Sequence, residues 1–398
     1  MPYVLMAAYT NYRRDPRVKR EAEALIGEGY TVRFLARRQP GEPEREVISG
    51  VEVLKLASIG RKPNSFAEYI FDYLLFFLML SIHLTLHPRR YDLIHINNMP
   101  DFLAFAAWLP RILGRPVIHD VHDLMPEIYM EKFNVTERHW AIRTLLLQER
   151  IAGSFASAVL TVEERLKEIL SNRGIRREKI HVLMNLPDEF IFQPITQTPK
   201  APGQPFVIVY HGTLARRLGL DIAIQAVAKV RERIGAVELR IIGDGEERGR
   251  LVKLAGELGL DGVVTFSDGF VPVNQIPGML QDADAAVIPL RKSSGTDIMM
   301  PTKLLEYVCL GIPSIAPKTG TIARYFDESM VRFFEAEDAD SLAEAILYLY
   351  EHPQEREQLC RSASEKFLAK YRWSEHKRVY TGLVKKLLGE RADQPAVS

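Results

Sequence analysis

Residues Gly295 to Gly311 read Gly-Thr-Asp-Ile-Met-Met-Pro-Thr-Lys-Leu-Leu-Glu-Tyr-Val-Cys-Leu-Gly. They bring together groups that bind phosphate and sugar hydroxyls. Pro301 suits a first helical position and Gly311 a stop, so a loop feeds a short helix here. At about 100° per residue, Leu304, Leu305 and Val308 share one face and Lys303 and Glu306 the opposite one. Unpaired N–H groups at a helix start attract phosphate, and Lys303 adds to that attraction. Glu306, one turn on, is placed to accept hydrogen bonds from hydroxyls. The element suits a ligand carrying both groups. An amphipathic helix with an i,i+3 Lys–Glu pair explains the same pattern.

Four further clusters could do related chemistry. His211-Gly-Thr-Leu-Ala-Arg-Arg-Leu-Gly-Leu-Asp221 follows a strand. Gly212 permits close backbone approach, and Arg216 and Arg217 offer forked donors to a diphosphate. Two solvated arginines before a helix would look alike. Ile241-Ile-Gly-Asp-Gly-Glu246 ends another strand, but Gly243, Asp244 and Gly245 alone are a tight turn, with no Gly-x-Gly-x-x-Gly. In Val117-Ile-His-Asp-Val-His-Asp-Leu-Met-Pro-Glu127, the residues His119, Asp120, His122, Asp123 and Glu127 could bind hydroxyls or move protons. No second His/Cys group supports a metal site there. Tyr12-Arg-Arg-Asp-Pro-Arg-Val-Lys-Arg-Glu21 offers Arg13, Arg14 and Arg17 either as a solvated face or as a landing site for an anionic acceptor. Asp282-Ala-Asp284 precedes a buried strand and suits capping and turn roles better than a metal.

The elements that must position these groups alternate. Tyr3–Ala8, Thr31–Ala36, Val51–Leu56, Leu93–Ile96, Val117–His119 and Ala158–Thr161 read as strands, with helices such as Pro16–Glu28 and Thr136–Ala156 between them. The alternation restarts with Phe206–Tyr210, Glu238–Ile242, Val263–Phe266, Ala285–Pro289 and Ser314–Ala316, around helices near Asp221–Ile234, Glu246–Leu258 and Thr302–Leu310. Two parallel, doubly wound sheets follow. The expected division is a first domain over 1–190, a Pro-rich linker over 191–205, a second domain over 206–372, and a helix over 373–398 packing back on the first domain. Ligands of such sheets bind beyond the carboxyl ends of the strands.

The 398 residues, 47% hydrophobic and 26% charged with a net charge of +1, describe a globular chain with no electrostatic case for nucleic acid. Cys309 and Cys360 form no disulfide framework, which fits a reducing compartment. The N-terminal residues read as a first strand, not a signal peptide. The apolar segment Tyr69–Leu86, interrupted by Asp72 and His83, reads as a buried core helix. An interfacial helix is its alternative, although it lacks the usual Lys/Arg face.

Taken together these motifs resemble the retaining glycosyltransferases of family 4. The supporting segments are Asp15–Leu25, Asp92–His95, His119–Glu127, Asn185–Asp188, Tyr210–Asp221, Gly243–Gly245 and Pro301–Pro313, in that order. The resemblance implies the α/β GT-B fold, two facing Rossmann-like domains with an interdomain cleft that holds a nucleotide-diphosphate sugar. It implies a donor site of Gly212, Thr213, Arg216, Gly243, Asp244, Gly245, Thr296, Asp297, Ile298, Met299 and Glu306, with Glu306 on the ribose. His122, Arg217 and Lys303 would be catalytic, and Arg13, Arg14, Arg17, Asp123 and Glu127 would meet the acceptor. There are two departures. A second glutamate eight positions before Glu306 is replaced by Ile298, leaving Asp297 or backbone amides to substitute. The usual Arg and Lys of the diphosphate loop align with Thr213 and Leu218.

Implied, too, are same-face transfer to a glycan or lipid-linked acceptor, no metal and no cofactor beyond the donor co-substrate, and a role in surface-polysaccharide assembly. The expected location is cytoplasmic, with peripheral contact at the inner membrane face left open. Three alternatives stay open: a GT-B-fold sugar-nucleotide epimerase, a non-catalytic partner subunit, and a Rossmann oxidoreductase whose dinucleotide fingerprint is absent.

Overall fold

The computed structural model describes residues 1–58, 66–133, 135–195, 200–201 and 203–389. It divides into two compact units, one of Met1–Asn185 with Ser374–Ser398, the other Leu186–Trp373.

The first unit holds β1 (Tyr3–Ala7), β2 (Thr31–Arg37), β3 (Arg45–Ile48), β4 (Val51–Leu56), β5 (Leu93–Asn97), β6 (Val117–Val121), β7 (Ala158–Thr161) and β8 (Ile180–Val182). They lie in the order β3-β4-β2-β1-β5-β6-β7-β8. All neighbours are parallel except β3 and β4, which form a hairpin. Its two-residue turn, Ser49-Gly50, has positive φ at both positions (50° and 82°), as a tight hairpin demands. β5 and β6 are buried on both faces, which is why they read as unbroken apolar runs apart from their His, Asp and Asn. One core packs Phe76, Leu80 and Leu84 against Leu5, Ile94 and Ile96.

The second unit holds β9 (Phe206–His211), β10 (Val237–Ile242), β11 (Val264–Phe266), β12 (Ala285–Val287), β13 (Ser314–Pro317) and β14 (Arg332–Phe334). Their order, β11-β10-β9-β12-β13-β14, is all parallel and doubly wound, with its switch point between β9 and β12. A core of Ile208, Leu239, Val227, Leu342 and Ile346 lies on one face.

Two expectations change. Part of the 191–205 segment, residues 196–199 and 202, lies outside the described residues, as does 390–398. Several of the described residues are held by the second unit. Phe192 is buried, Ile195 N–H donates to the Leu310 carbonyl at 3.0 Å, and Lys200 pairs with Asp284. The chain therefore passes into the second unit at Leu186. The apolar helix spans Phe66–Leu86 and is only half core: Asp72, Phe76, Leu80 and Leu84 are fully buried, whereas Leu74, Leu78 and Ile82 are exposed. The helix Trp373–Leu388 lies with the first unit from Ser374 on. There Tyr380 is fully buried and Lys385 reaches Glu28 at 2.8 Å.

Candidate active site

At the carboxyl end of β9 the backbone is packed too tightly for side chains. Gly212 has φ 119°, and a Cβ on it would lie 3.2 Å from Lys303 Cε. A Cβ on Gly243, at φ 137°, would lie 2.0 Å from the Gly212 carbonyl oxygen, and one on Gly245 would lie 2.3 Å from that of Leu214. The two glycine-bearing turns are thus stacked backbone on backbone, joined by Gly212 N–H to the Ile242 carbonyl at 2.8 Å and Leu214 N–H to the Asp244 carbonyl at 2.9 Å. Only glycine fits such positive-φ, close-contact positions.

The helix Thr302–Leu310 runs beside these turns. Pro301 caps it rather than opening it, and Gly311 ends it in the left-handed region at φ 72°. Leu304, Leu305 and Val308 are buried in the unit, which turns Lys303 and Glu306 toward β9. Lys303 Nζ stands 4.9 Å over the Tyr210 ring and forms no ion pair among the described residues. The Glu306 carboxylate accepts from His211 Nε2, and His211 N–H donates to Tyr307 Oη at 2.9 Å. His211 Nδ1 is buried without a hydrogen-bond partner among the described residues. Arg216 and Arg217 lie on a one-turn helix, Arg216–Leu218, both exposed. Their side chains form no ion pair among the described residues. Gly219 then admits the chain past the Pro289 carbonyl, which a Cβ would meet at 1.9 Å.

The loop Thr296–Met299 is built differently from its expected use. Thr296 is buried and its hydroxyl accepts from Ser293 N–H at 2.9 Å and donates to the Arg291 carbonyl at 2.6 Å, so it holds a capping box. Asp297 accepts from Gly320 N–H at 2.8 Å, at the start of the helix Gly320–Tyr325. That bond draws it away from replacing the glutamate absent at Ile298. Ile298 and Met299 follow, half-buried. Asp244 is exposed and accepts from Gly245 N–H at 2.9 Å, and Thr213 is exposed beside it. Asp282 and Asp284 are spent on Arg240 and Lys200, as turn residues should be.

In the first unit, strand alternation sorts the β6 cluster. His119 faces Asp101, 3.4 Å away, while Asp120 points to the opposite face. There the Asp120 carboxylate receives His122 Nε2 at 2.9 Å and His95 Nε2 at 3.3 Å. His95 Nδ1 is held by Tyr380 Oη at 2.7 Å. Burial alone would raise the Asp120 pKa, but the two imidazoles outweigh it and hold the carboxyl well below its usual range. Burial, then the Arg17 charge, keeps His122 below the ordinary imidazole value. Asn97 Oδ1 lies 3.1 Å from His122 Nε2, and Asn98 Oδ1 accepts from the His122 N–H at 3.1 Å.

Glu21, from the helix Pro16–Gly27, completes this cluster. Burial and then the Asp120 charge push its carboxyl well above the usual value. Atoms of Glu21, Asp120 and His122 lie within 4.8 Å of one another, a spacing that could hold a metal ion. Of these groups, Asp120 and His122 are already joined at 2.9 Å, whereas Glu21 Oε2 has no hydrogen-bond partner among the described residues.

Among the acceptor candidates, Arg13 is paired with Glu46 and Arg17 lies 3.6 Å from Asp15, while Arg14 and Asp123 are exposed. Glu127 is committed elsewhere: it pairs with Arg173, which also holds Glu149 at 3.0 Å. Burial pushes Glu149 up to about 7. Sequence reading did not single out Glu21, His95 and His211 as site residues. Glu21 sits in a basic run, His95 lies inside an apolar strand, and His211 closes one; for His211 an imidazole at a strand's carboxyl end is the available signal.

Two doubly wound parallel sheets, each carrying its polar residues at the carboxyl ends of its strands, place the molecule in the GT-B class. Sucrose-phosphate synthase from Thermosynechococcus elongatus shares this fold at a TM-score of 0.79 and 19% identity, covering 98% of this chain and 100% of that one. HepE of Anabaena, solved with UDP and glucose, shares it at 0.70 and 16% over 97% and 100%. Residues 15–185 match the glycosyl transferase 4-like domain and residues 192–366 match glycosyl transferases group 1. A colanic acid biosynthesis glycosyltransferase of Escherichia coli, WcaL, is 33% identical over 148 residues, 37% of this chain and 36% of that relative's length. The chain belongs to the family 4-like glycosyltransferases.

Proposed function

We propose that this protein is a retaining glycosyltransferase that moves a sugar from a nucleotide-diphosphate sugar to a hydroxyl of a glycan or lipid-linked acceptor. One observation carries the reading: Lys303 and Glu306, one turn apart, both meet the end of β9, the lysine at Gly212 and the glutamate at His211. A cation over a glycine turn suits a diphosphate, and a carboxylate one turn on suits ribose hydroxyls. Arg216 and Arg217 add forked donors. The UDP bound by HepE and the biosynthetic role named for WcaL support the same class of donor and product.

The acceptor oxygen forms its bond to the anomeric carbon on the face from which the diphosphate departs. The sugar–phosphate bond breaks with its electron pair on the phosphate, which takes the acceptor proton. The protein's share is to stabilise that charge and align the reactants. Arg217 and Lys303 do the first. Neutral His122, oriented by Asp120, hydrogen-bonds the donor sugar. Cationic side chains and backbone amides balance the phosphate charge with no metal, and the reaction belongs to the cytoplasmic side. Because Asp297 is bound to Gly320, contact with the donor sugar falls to the amides around Ile298 and Met299.

Glu306→Gln and Arg217→Ala should each lower transfer by roughly a hundredfold or more, the scale of losing one charge-stabilising group, with the fold intact by circular dichroism. Full activity in both variants would sink the assignment. The tied-up Asp297 favours a second reading, a subunit that binds nucleotide without transferring sugar. Nucleotide binding by calorimetry with no turnover of donor under any acceptor would establish it.

A further inference from the structure

The Phe66–Leu86 helix carries two rows of residues spaced four apart. Asp72, Phe76, Leu80 and Leu84 are fully buried against the first unit's sheet. Ile70, Leu74, Leu78, Ile82 and Leu86 form the other row, two positions away and so about 200° round the helix. All five are exposed; Leu78 is 54% and neighbouring Phe71 60% accessible. The helix is long and apolar enough to cross a bilayer, but its inner row is committed to the core. It cannot span while the unit is folded and must lie along a surface.

The apolar area is not confined to one helix. Trp108–Ile112 packs beside it in the same layer, and there Trp108 is 46% and Ile112 72% exposed. Contiguous exposed apolar surface of this kind marks an interaction site. The surrounding charge says with what. Between Asp72 and Asp120 the chain carries Arg89, Arg90, Arg111 and Arg115. It carries two carboxylates there: Asp92, bound to Arg115 at 3.1 Å, and buried Asp101. Arg89 and Arg90, directly beyond Leu86, are exposed.

We infer that this face docks on an anionic bilayer surface, with the Ile70–Leu86 row and Trp108 entering the headgroup–acyl boundary and the arginines meeting lipid phosphates. The helix itself has no Lys/Arg face; neighbouring segments supply the cations instead. Self-association is disfavoured by the same charges, since an isologous contact brings like-charged rims together. The inference stands apart from the transfer reaction and can fail without it.

The test is vesicle flotation of the full chain, with phosphatidylcholine alone and with phosphatidylglycerol added. Binding should require the anionic lipid, weaken with salt, and fall about tenfold or more in Leu74→Glu/Leu78→Glu and in Arg89→Glu/Arg90→Glu. Because these side chains are exposed, both variants should melt within a few degrees of the parent; the arginine pair gives an independent reading if the leucine pair does not fold. Absence of flotation on anionic vesicles overturns the inference, as does a stable dimer in solution that Leu78→Glu dissociates and that ignores lipid.

Discussion

Burial, and then the Asp120 charge beside it, raise the Glu21 carboxyl well above its usual value. A folded-state pKa above the unfolded one means the folded chain binds the extra proton. That contribution is fully present below the unfolded value, about 4.3, and is lost as pH rises toward the folded value. Glu21→Gln, which mimics the neutral acid, should therefore equal or exceed the parent in stability at pH 8 and show a flatter stability–pH curve in urea titrations. A variant that is less stable at pH 8 than at pH 5, relative to the parent, would contradict this. Asp120 has the opposite sign: its stabilisation is present above the unfolded carboxylate pKa and is lost as pH falls. The sequence displayed His122 and Glu306 as candidates because histidine after a strand and glutamate in a helix stand out by type. Asp120 stands in the same cluster as His122, but His95 and Tyr380 do not stand out, since Asp120–His95–Tyr380 joins residues up to 285 positions apart. Thr296 and Asp297 show the converse, two suitable types whose bonds are spent on Ser293, Arg291 and Gly320.

At the scale of elements, the stacked glycine turns make a sharp demand. Gly243→Ala places a methyl against the Gly212 carbonyl at a strained φ. Roughly 1–3 kcal/mol of strain is expected, alongside loss of nucleotide binding. Retention of both stability and binding would show that the turns can separate. Tyr380→Phe removes one buried hydrogen bond to His95, worth about 1 kcal/mol. It should lower the melting temperature and disturb the pH profile of turnover; an unchanged profile would reduce Tyr380 to packing. The long strands and helices were legible because apolar runs and helical periods are local. β3, β8 and β14 were not: they are sheet-edge strands of three or four residues, too short to leave a period, although Ser49-Gly50 was a usable hairpin signal. The Phe66–Leu86 helix misled for another reason. It is apolar nearly all round, a pattern expected of burial, and only the fold reveals that one row faces outward.

For the whole molecule, nucleoside diphosphates should bind the folded chain alone and raise its apparent stability. At a hundredfold excess over Kd the gain is about 2.7 kcal/mol, readable as a thermal shift across uridine, guanosine, adenosine and thymidine diphosphates. No shift with any of them would remove the donor-site reading. The surface depression lined by Met1, Asp92, Arg115 and Leu388 is a poor place to look for the ligand. It lies at the amino ends of β1, β5 and β6, opposite the carboxyl ends where such sheets bind.

The first unit is interrupted: it stops at Asn185 and resumes at Ser374, with 186–373 folded separately between. During synthesis the ribosome delivers the later unit whole while the earlier one still awaits Tyr380, Leu383 and Val384, side chains that fill its core. Chain order and folding order are then reversed, and residues 1–185 must wait, incompletely packed, through the translation of nearly 190 more. Nascent-chain protease protection should appear in 186–373 first.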